Sequence, residues 1–111
     1  MAHRVAPQAE ADLDDIWLYT AKESGSIDVA SRLIDAIAGR FLLLANFPYV
    51  GRARDEDFGA GSRSASVGEY VIVYCVDGQD VLILRVVHGK RDLEALFGKY
   101  SGPQNLDQAI S

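Results

Sequence analysis

Two short apolar runs, EYVIVYCV (69–76) and DVLILRVV (80–87), stand on either side of DGQ. Both are rich in β-branched and aromatic residues, which suits strands. The Asp-Gly pair between them is the turn signal of a β-hairpin. Each run is apolar at nearly every position, so the hairpin buries both of its faces. One face needs a covering layer from the same chain, and the second also needs a partial cover. An exposed apolar face of that kind suggests a partner.

The covering layer is legible upstream, where the apolar period is helical. Between Pro7 and Ser24, Ala9, Leu13, Ile16 and Tyr19/Thr20 fall on one helical face. Pro7 suits a first helical turn, although Ala6 is a poor N-cap. Glu10, Asp12, Asp14 and Asp15 crowd the early turns, where negative charge suits the helix dipole. These carboxylates, with Asp28 and Asp35, read as solvated helix faces and match no metal motif. SGS at 24–26 breaks the helix, and Ser26 can cap the next one. Ala30, Leu33, Ile34, Ile37, Phe41 and Leu44 then predict a second helix over 27–46, ended by Pro48. So short a break predicts an antiparallel helical hairpin.

The opening HRVA reads as a short strand that stops at Pro7, and 51–61 as a charged, glycine-bearing loop. SRSASV (62–67) is a further strand, and 92–96 a short helical turn. The expected fold is α+β in the order β-α-α-β-β-β. An N-terminal strand and an antiparallel helical hairpin pack on one face of a small antiparallel sheet. Residues 1–97 form the single expected domain, and 98–111 a loose tail.

Composition narrows the function. Hydrophobic residues make up 49% and charged residues 24%, as in ordinary globular chains. No apolar run approaches the roughly 18–20 residues of a membrane span. No hydrophobic signal region precedes the first acids, so the expectation is a cytoplasmic protein. A lone Cys75 forms no internal disulfide. With 16 acids against 11 bases, the net charge of −5 disfavours autonomous nucleic-acid binding. Yet Arg52, Arg54, Arg63, Arg85, Lys90 and Arg91 all lie beyond residue 50, which allows a local basic patch. No cofactor is indicated.

The segments VAPQAEADLDDIWLYT, LANFPYVGRAR, EYVIVY and ILRVVHGKRDLEAL, in that order and spacing, resemble the RelE/ParE superfamily of bacterial toxins. The ParE branch is the most similar, and the resemblance spans about residues 3–97. It implies the toxin of a type II toxin–antitoxin system, neutralised by a cognate ParD-like, ribbon-helix-helix antitoxin in a hetero-oligomer. DNA is then met only through the antitoxin. RelE-like members cleave messenger RNA on the ribosome, and in-line attack by a 2′-OH needs a base and phosphate-stabilising cations. Here the middle-strand arginine of that pattern is replaced by Val73. The tyrosine or histidine expected six residues after Arg91 is replaced by Phe97. These departures are those of the ParE branch, which poisons DNA gyrase. The expected activity is therefore gyrase inhibition by binding. A ribosome-dependent mRNA endonuclease, with His88 or Tyr100 as base and Arg91 as phosphate clamp, is the alternative.

Arg63, Arg85, His88, Lys90 and Arg91 are accordingly the expected target contacts. Leu13, Trp17, Tyr70, Tyr74, Ile83 and Arg85 are the expected antitoxin contacts. The bland readings stand beside them. His88, alternating with Leu82, Leu84 and Val86, suits a half-buried histidine bonded to a loop carbonyl. Arg85, alternating with Val81, Ile83 and Val87, pairs either with an acid such as Glu69 or with a partner's carboxylate. Arg91 and Asp92 can pair locally at a helix start. Arg52, Arg54 and Arg63 can be solvated loop charges. Trp17, at the edge of the first helix's apolar stripe, suits core packing or an interface anchor.

Overall fold

The computed structural model describes residues 2–90. Its elements are β1 (His3–Val5), α1 (Pro7–Ser24), α2 (Ile27–Asn46), β2 (Arg52–Ala53), α3 (Asp55–Phe58), β3 (Ser62–Val67), β4 (Tyr70–Asp77) and β5 (Asp80–His88). The expected helical turn at 92–96 and the tail at 98–111 lie outside the described residues.

The two helices run where their apolar spacing put them. Gly25 closes α1 in the left-handed region at φ 69°, donating its N–H to Ala21 O, a conformation that carries no steric cost without a Cβ. Ser26 then caps α2, its side chain accepting from Val29 N at 3.2 Å. Trp17 Nε1 donates to Ser31 Oγ (3.3 Å) and ties the helices together.

The sheet has five strands in the order β1-β5-β4-β3-β2. Here the expectation of an antiparallel sheet is corrected: β1 pairs parallel to β5, and the sheet is mixed. The α1–α2 hairpin lies between β1 and the rest of the sheet in sequence, so the chain returns to β1's side with β5 running the same way. The expected loop at 51–61 also holds two short elements, β2 paired with β3 and the single turn α3.

Ala9, Ile16, Ile37, Phe41 and Leu44 of the helices pack on Tyr70, Ile72, Tyr74, Val81, Ile83 and Val86 to make the main core. The second face carries Val71, Val73 and Val87, with Phe58 of α3 and Leu84 against them. Val73 and Val87 are only 1% and 2% exposed. That face is thus already closed over its centre, which corrects the expectation of an open apolar face awaiting a partner.

One irregularity sets the phase of β5. Val73 pairs with Arg85 but Tyr74 pairs with Ile83, so Leu84 is an extra residue, a β-bulge. Before it, Val81 and Ile83 face the helices; after it, Val86 does, while Val87 joins the other face. The simple alternation predicted for Arg85 and His88 therefore fails at Leu84. Among the described residues no helix is long and apolar enough to cross a membrane, and no cluster of His, Cys, Asp or Glu suits a metal ion.

Candidate functional site

β1 is three residues long and β5 nine. Its register covers Val81 to Ile83, and the last strand-like bond on that side runs from Ala6 N to Ile83 O. Pro7 then turns the chain into α1. The second half of β5 consequently has a helix, not a strand, along its edge.

Asp12 of α1 fills this role. Its Oδ2 accepts from Val86 N (2.9 Å) and from Arg85 Nε (2.8 Å), and its Oδ1 accepts from Arg85 Nη2 (3.1 Å). One carboxylate thus replaces the missing strand's carbonyl and forks onto a guanidinium, a strong, charge-assisted arrangement. The Asp12 side chain is 11% exposed. The reading of Asp12 as a solvated carboxylate is corrected; Arg85 does pair with an acid of its own chain, and that acid is Asp12, where Glu69 is the sequence-based example. A sequence signal existed: Asp12 follows Ala9 by three and precedes Ile16 by four, which sets an acid inside the apolar stripe.

Beside this node opens a cleft of about 360 Å³, lined by Asp12, Asp15, Ile16, Tyr19, Tyr70, Arg85 and Val86. Tyr70 forms its sheet wall and meets His88 edge-on, with ring centroids 5.4 Å apart. His88 Nε2 lies 3.0 Å from Glu69 Oε1, and Gly89 N donates to Glu69 O. His88 therefore meets a side-chain carboxylate. Lys90 beyond it is exposed. Arg91 lies outside the described residues.

The remaining expected contacts separate. Arg63 donates from Nη2 to Tyr49 O (3.0 Å) and Gly51 O (2.7 Å), and its guanidinium lies over the Tyr49 ring. It pairs with Tyr74 whereas His88 pairs with Tyr70, so the two are roughly 13 Å apart along the strands and 10 Å across them. Arg63 is a brace for the loop before β2 and not a member of the β5 rim. Tyr74 and Ile83 are fully buried on the helix side and offer no surface to an antitoxin, a correction that follows from their place in the main core. Leu13 and Trp17 are half-buried on α1. Only Tyr70 and Arg85 of the expected antitoxin set line the cleft.

For nucleotidyl chemistry, the middle-strand position Val73 sits in the apolar second face and supplies no charge. Phe97 and Tyr100 lie outside the described residues.

The sequence and the fold have relatives. The family model described as ParE toxin of type II toxin-antitoxin system, parDE, matches residues 4–93. Toxin ParE3 of Caulobacter vibrioides is 36% identical over 88 residues, 79% of this chain and 86% of that protein. Toxin ParE1 of the same organism is 33% identical over 96 residues, 86% of this chain and 97% of that one. Among solved structures, the chromosomal ParDE toxin–antitoxin system from P. aeruginosa superposes with a TM-score of 0.69 at 22% identity, covering 79% of this chain and 95% of that one, a likeness of fold. The RelBE2 toxin–antitoxin complex from Mycobacterium tuberculosis follows with a TM-score of 0.53, 27% identity and coverage of 78% and 95%. With the family model matching from β1 to beyond β5, and relatives above 30% identity along most of their length, this chain belongs to the ParE toxins of type II toxin–antitoxin systems.

Proposed function

We propose that this ParE-family toxin acts by binding DNA gyrase, without chemistry of its own, and is neutralised by a ParD-like antitoxin. The reading puts the protein in the cytoplasm, with its target. The observation that carries it is the composition of the sheet where a RelE-type nuclease needs charge. Val73 stands there, 1% exposed and packed among Val71 and Val87. A buried valine neither activates a 2′-OH nor stabilises a phosphorane.

His88 and Lys90, with Arg91 following in sequence, form the proposed target-gripping rim at the end of β5. Arg63 leaves that set, because its Nη2 is held by Tyr49 O and Gly51 O, away from the end of β5. The antitoxin is proposed to lay a segment along the uncovered half of β5, with Tyr70, Arg85 and the outer side of α1 as its seat. The two solved neighbours are themselves systems of toxin with antitoxin, which supports a protein partner of this class.

The test is a supercoiling assay with purified toxin, with and without antitoxin. Loss of supercoiling at micromolar toxin, restored by antitoxin, is expected. Unaffected gyrase together with ribosome-dependent mRNA cleavage would reverse the assignment in favour of the endonuclease.

A further inference from the structure

The end of α2 and the loop after it carry an apolar surface that the cleft does not use. Leu42, Leu43, Phe47, Tyr49 and Val50 are between 41% and 68% exposed, five large side chains within nine residues. Isolated exposed apolar residues are ordinary, whereas a run of this density marks an interaction surface.

The patch is held rigidly from beneath. Tyr74 Oη donates to Pro48 O (2.9 Å) and accepts from Gly51 N (2.9 Å), and Arg63 donates to Tyr49 O and Gly51 O. Four hydrogen bonds from two sheet residues therefore fix the loop's backbone while its side chains point their surface outward. A face ordered in advance loses little conformational freedom when it is covered.

Its border is cationic. Arg40 precedes Leu43 by three on α2, which sets both along one side of the helix, and Phe47 follows as the residue that caps it. Arg52 is exposed just past Val50. Among the described residues neither Arg40 nor Arg52 has an acid within ion-pairing distance, although Arg4, Arg54 and Arg85 all do. Most cations among the described residues carry no ion pair, and Arg40 and Arg52 are the ones that adjoin the apolar run in sequence.

From these observations we infer that the Leu42–Val50 surface is a second docking face, separate from the cleft, that receives an acidic amphipathic segment of another protein. Leucine-type side chains would cover Leu43, Phe47 and Val50, and flanking carboxylates would meet Arg40 and Arg52. A second copy of this chain fits poorly, since a two-fold contact presents the same patch twice and brings Arg40 and Arg52 near their own images. A nucleic acid fits poorly as well. Three of the five patch residues are aliphatic and give bases nothing to stack on, and the body of the protein repels phosphates. The loop is anchored on Tyr74, four residues along β4 from Tyr70 of the cleft, roughly 13 Å away. Both faces can therefore be engaged together.

The test uses the full chain and a fluorescein-labelled 18-residue helical peptide with leucines on one face and glutamates on its flanks. Fluorescence anisotropy is expected to show binding that falls at least ten-fold for Phe47→Ser/Val50→Ser. It is expected to fall similarly when lysines replace the peptide's glutamates. Arg52→Glu should narrow or invert that preference. Thermal melting of each variant controls for folding, and exposed positions are expected to leave it unchanged. Equal binding of both peptides, or no dependence on Phe47 and Val50, would overturn the inference. So would concentration-dependent self-association, or oligo-dT binding, that disappears with Phe47→Ser. None of these readouts involves gyrase, so the outcome is independent of the toxin's proposed target.

Discussion

Asp12 holds Arg85 across 73 residues of chain, with contacts of 2.8 and 3.1 Å, and takes Val86 N into the same carboxylate. This junction ties α1 to the half of β5 that β1 leaves uncovered. Asp12→Ala is expected to destabilise the protein by about 2–4 kcal/mol, because Val86 N–H and the guanidinium lose an acceptor in a half-buried site. Urea unfolding checks this. A cost below about 0.5 kcal/mol would show the junction to be no better than a surface pair.

Arg85 and Tyr70 should matter to antitoxin binding. Arg85→Ala removes one wall of the cleft, and Tyr70→Ala empties the other. Each is expected to weaken toxin–antitoxin affinity by about ten-fold or more, of the order of 1.4 kcal/mol. Titration calorimetry reads the change, with melting temperatures reported alongside. A variant that melts normally and binds normally would remove its residue from the proposed seat.

The loop before β2 depends on a buried phenol and an absent side chain. Tyr74→Phe leaves Pro48 O and Gly51 N without their partner, at an expected cost of about 2–3 kcal/mol. Gly51→Ala is expected to cost about as much or more, since a Cβ there would lie 2.3 Å from Tyr74 Oη and 2.7 Å from Ser64 O. Chemical denaturation should find both. The pair should also be non-additive, because both changes act on one contact.

Cys75 offers a pH test. Burial lifts its thiol above the ordinary value of 9.0, the Asp77 charge adds to the rise, and Arg4 opposes it. The neutral thiol is favoured by this shift, so the nucleophilic thiolate gains population only as pH climbs past 9. Alkylation by iodoacetamide is expected to be slower than for a free cysteine at pH 8 and to accelerate well above it. Asp77→Asn should speed the reaction at pH 8.

Much of this architecture was readable in the residues. The stripes Ala9–Leu13–Ile16 and Ala30–Ile37–Phe41–Leu44 gave both helices and their buried sides, and the Asp-Gly turn gave the β4–β5 hairpin. The parallel pairing of β1 was not readable, because a three-residue strand carries no sign of its neighbour's direction. The bulge was hidden for another reason. In a run as uniformly apolar as DVLILRVV, slipping one residue changes no hydrophobic pattern. That slip misassigned the faces of Arg85 and His88. Asp12 was passed over as one acid among several, although its phase with Ala9 and Ile16 distinguished it. Arg63 looked like a loop charge or target contact because its acceptors are backbone carbonyls, which every sequence has everywhere.

The supernumerary Leu84 behaves like a half-step in a staircase. Below it the odd-numbered side chains of the last strand look toward the helices, and above it the even-numbered ones do. The orientation of Val86, Val87 and His88 is thus set by a count of residues as much as by their chemistry. Relatives with similar side chains but a different spacing at this point would turn another set of groups outward.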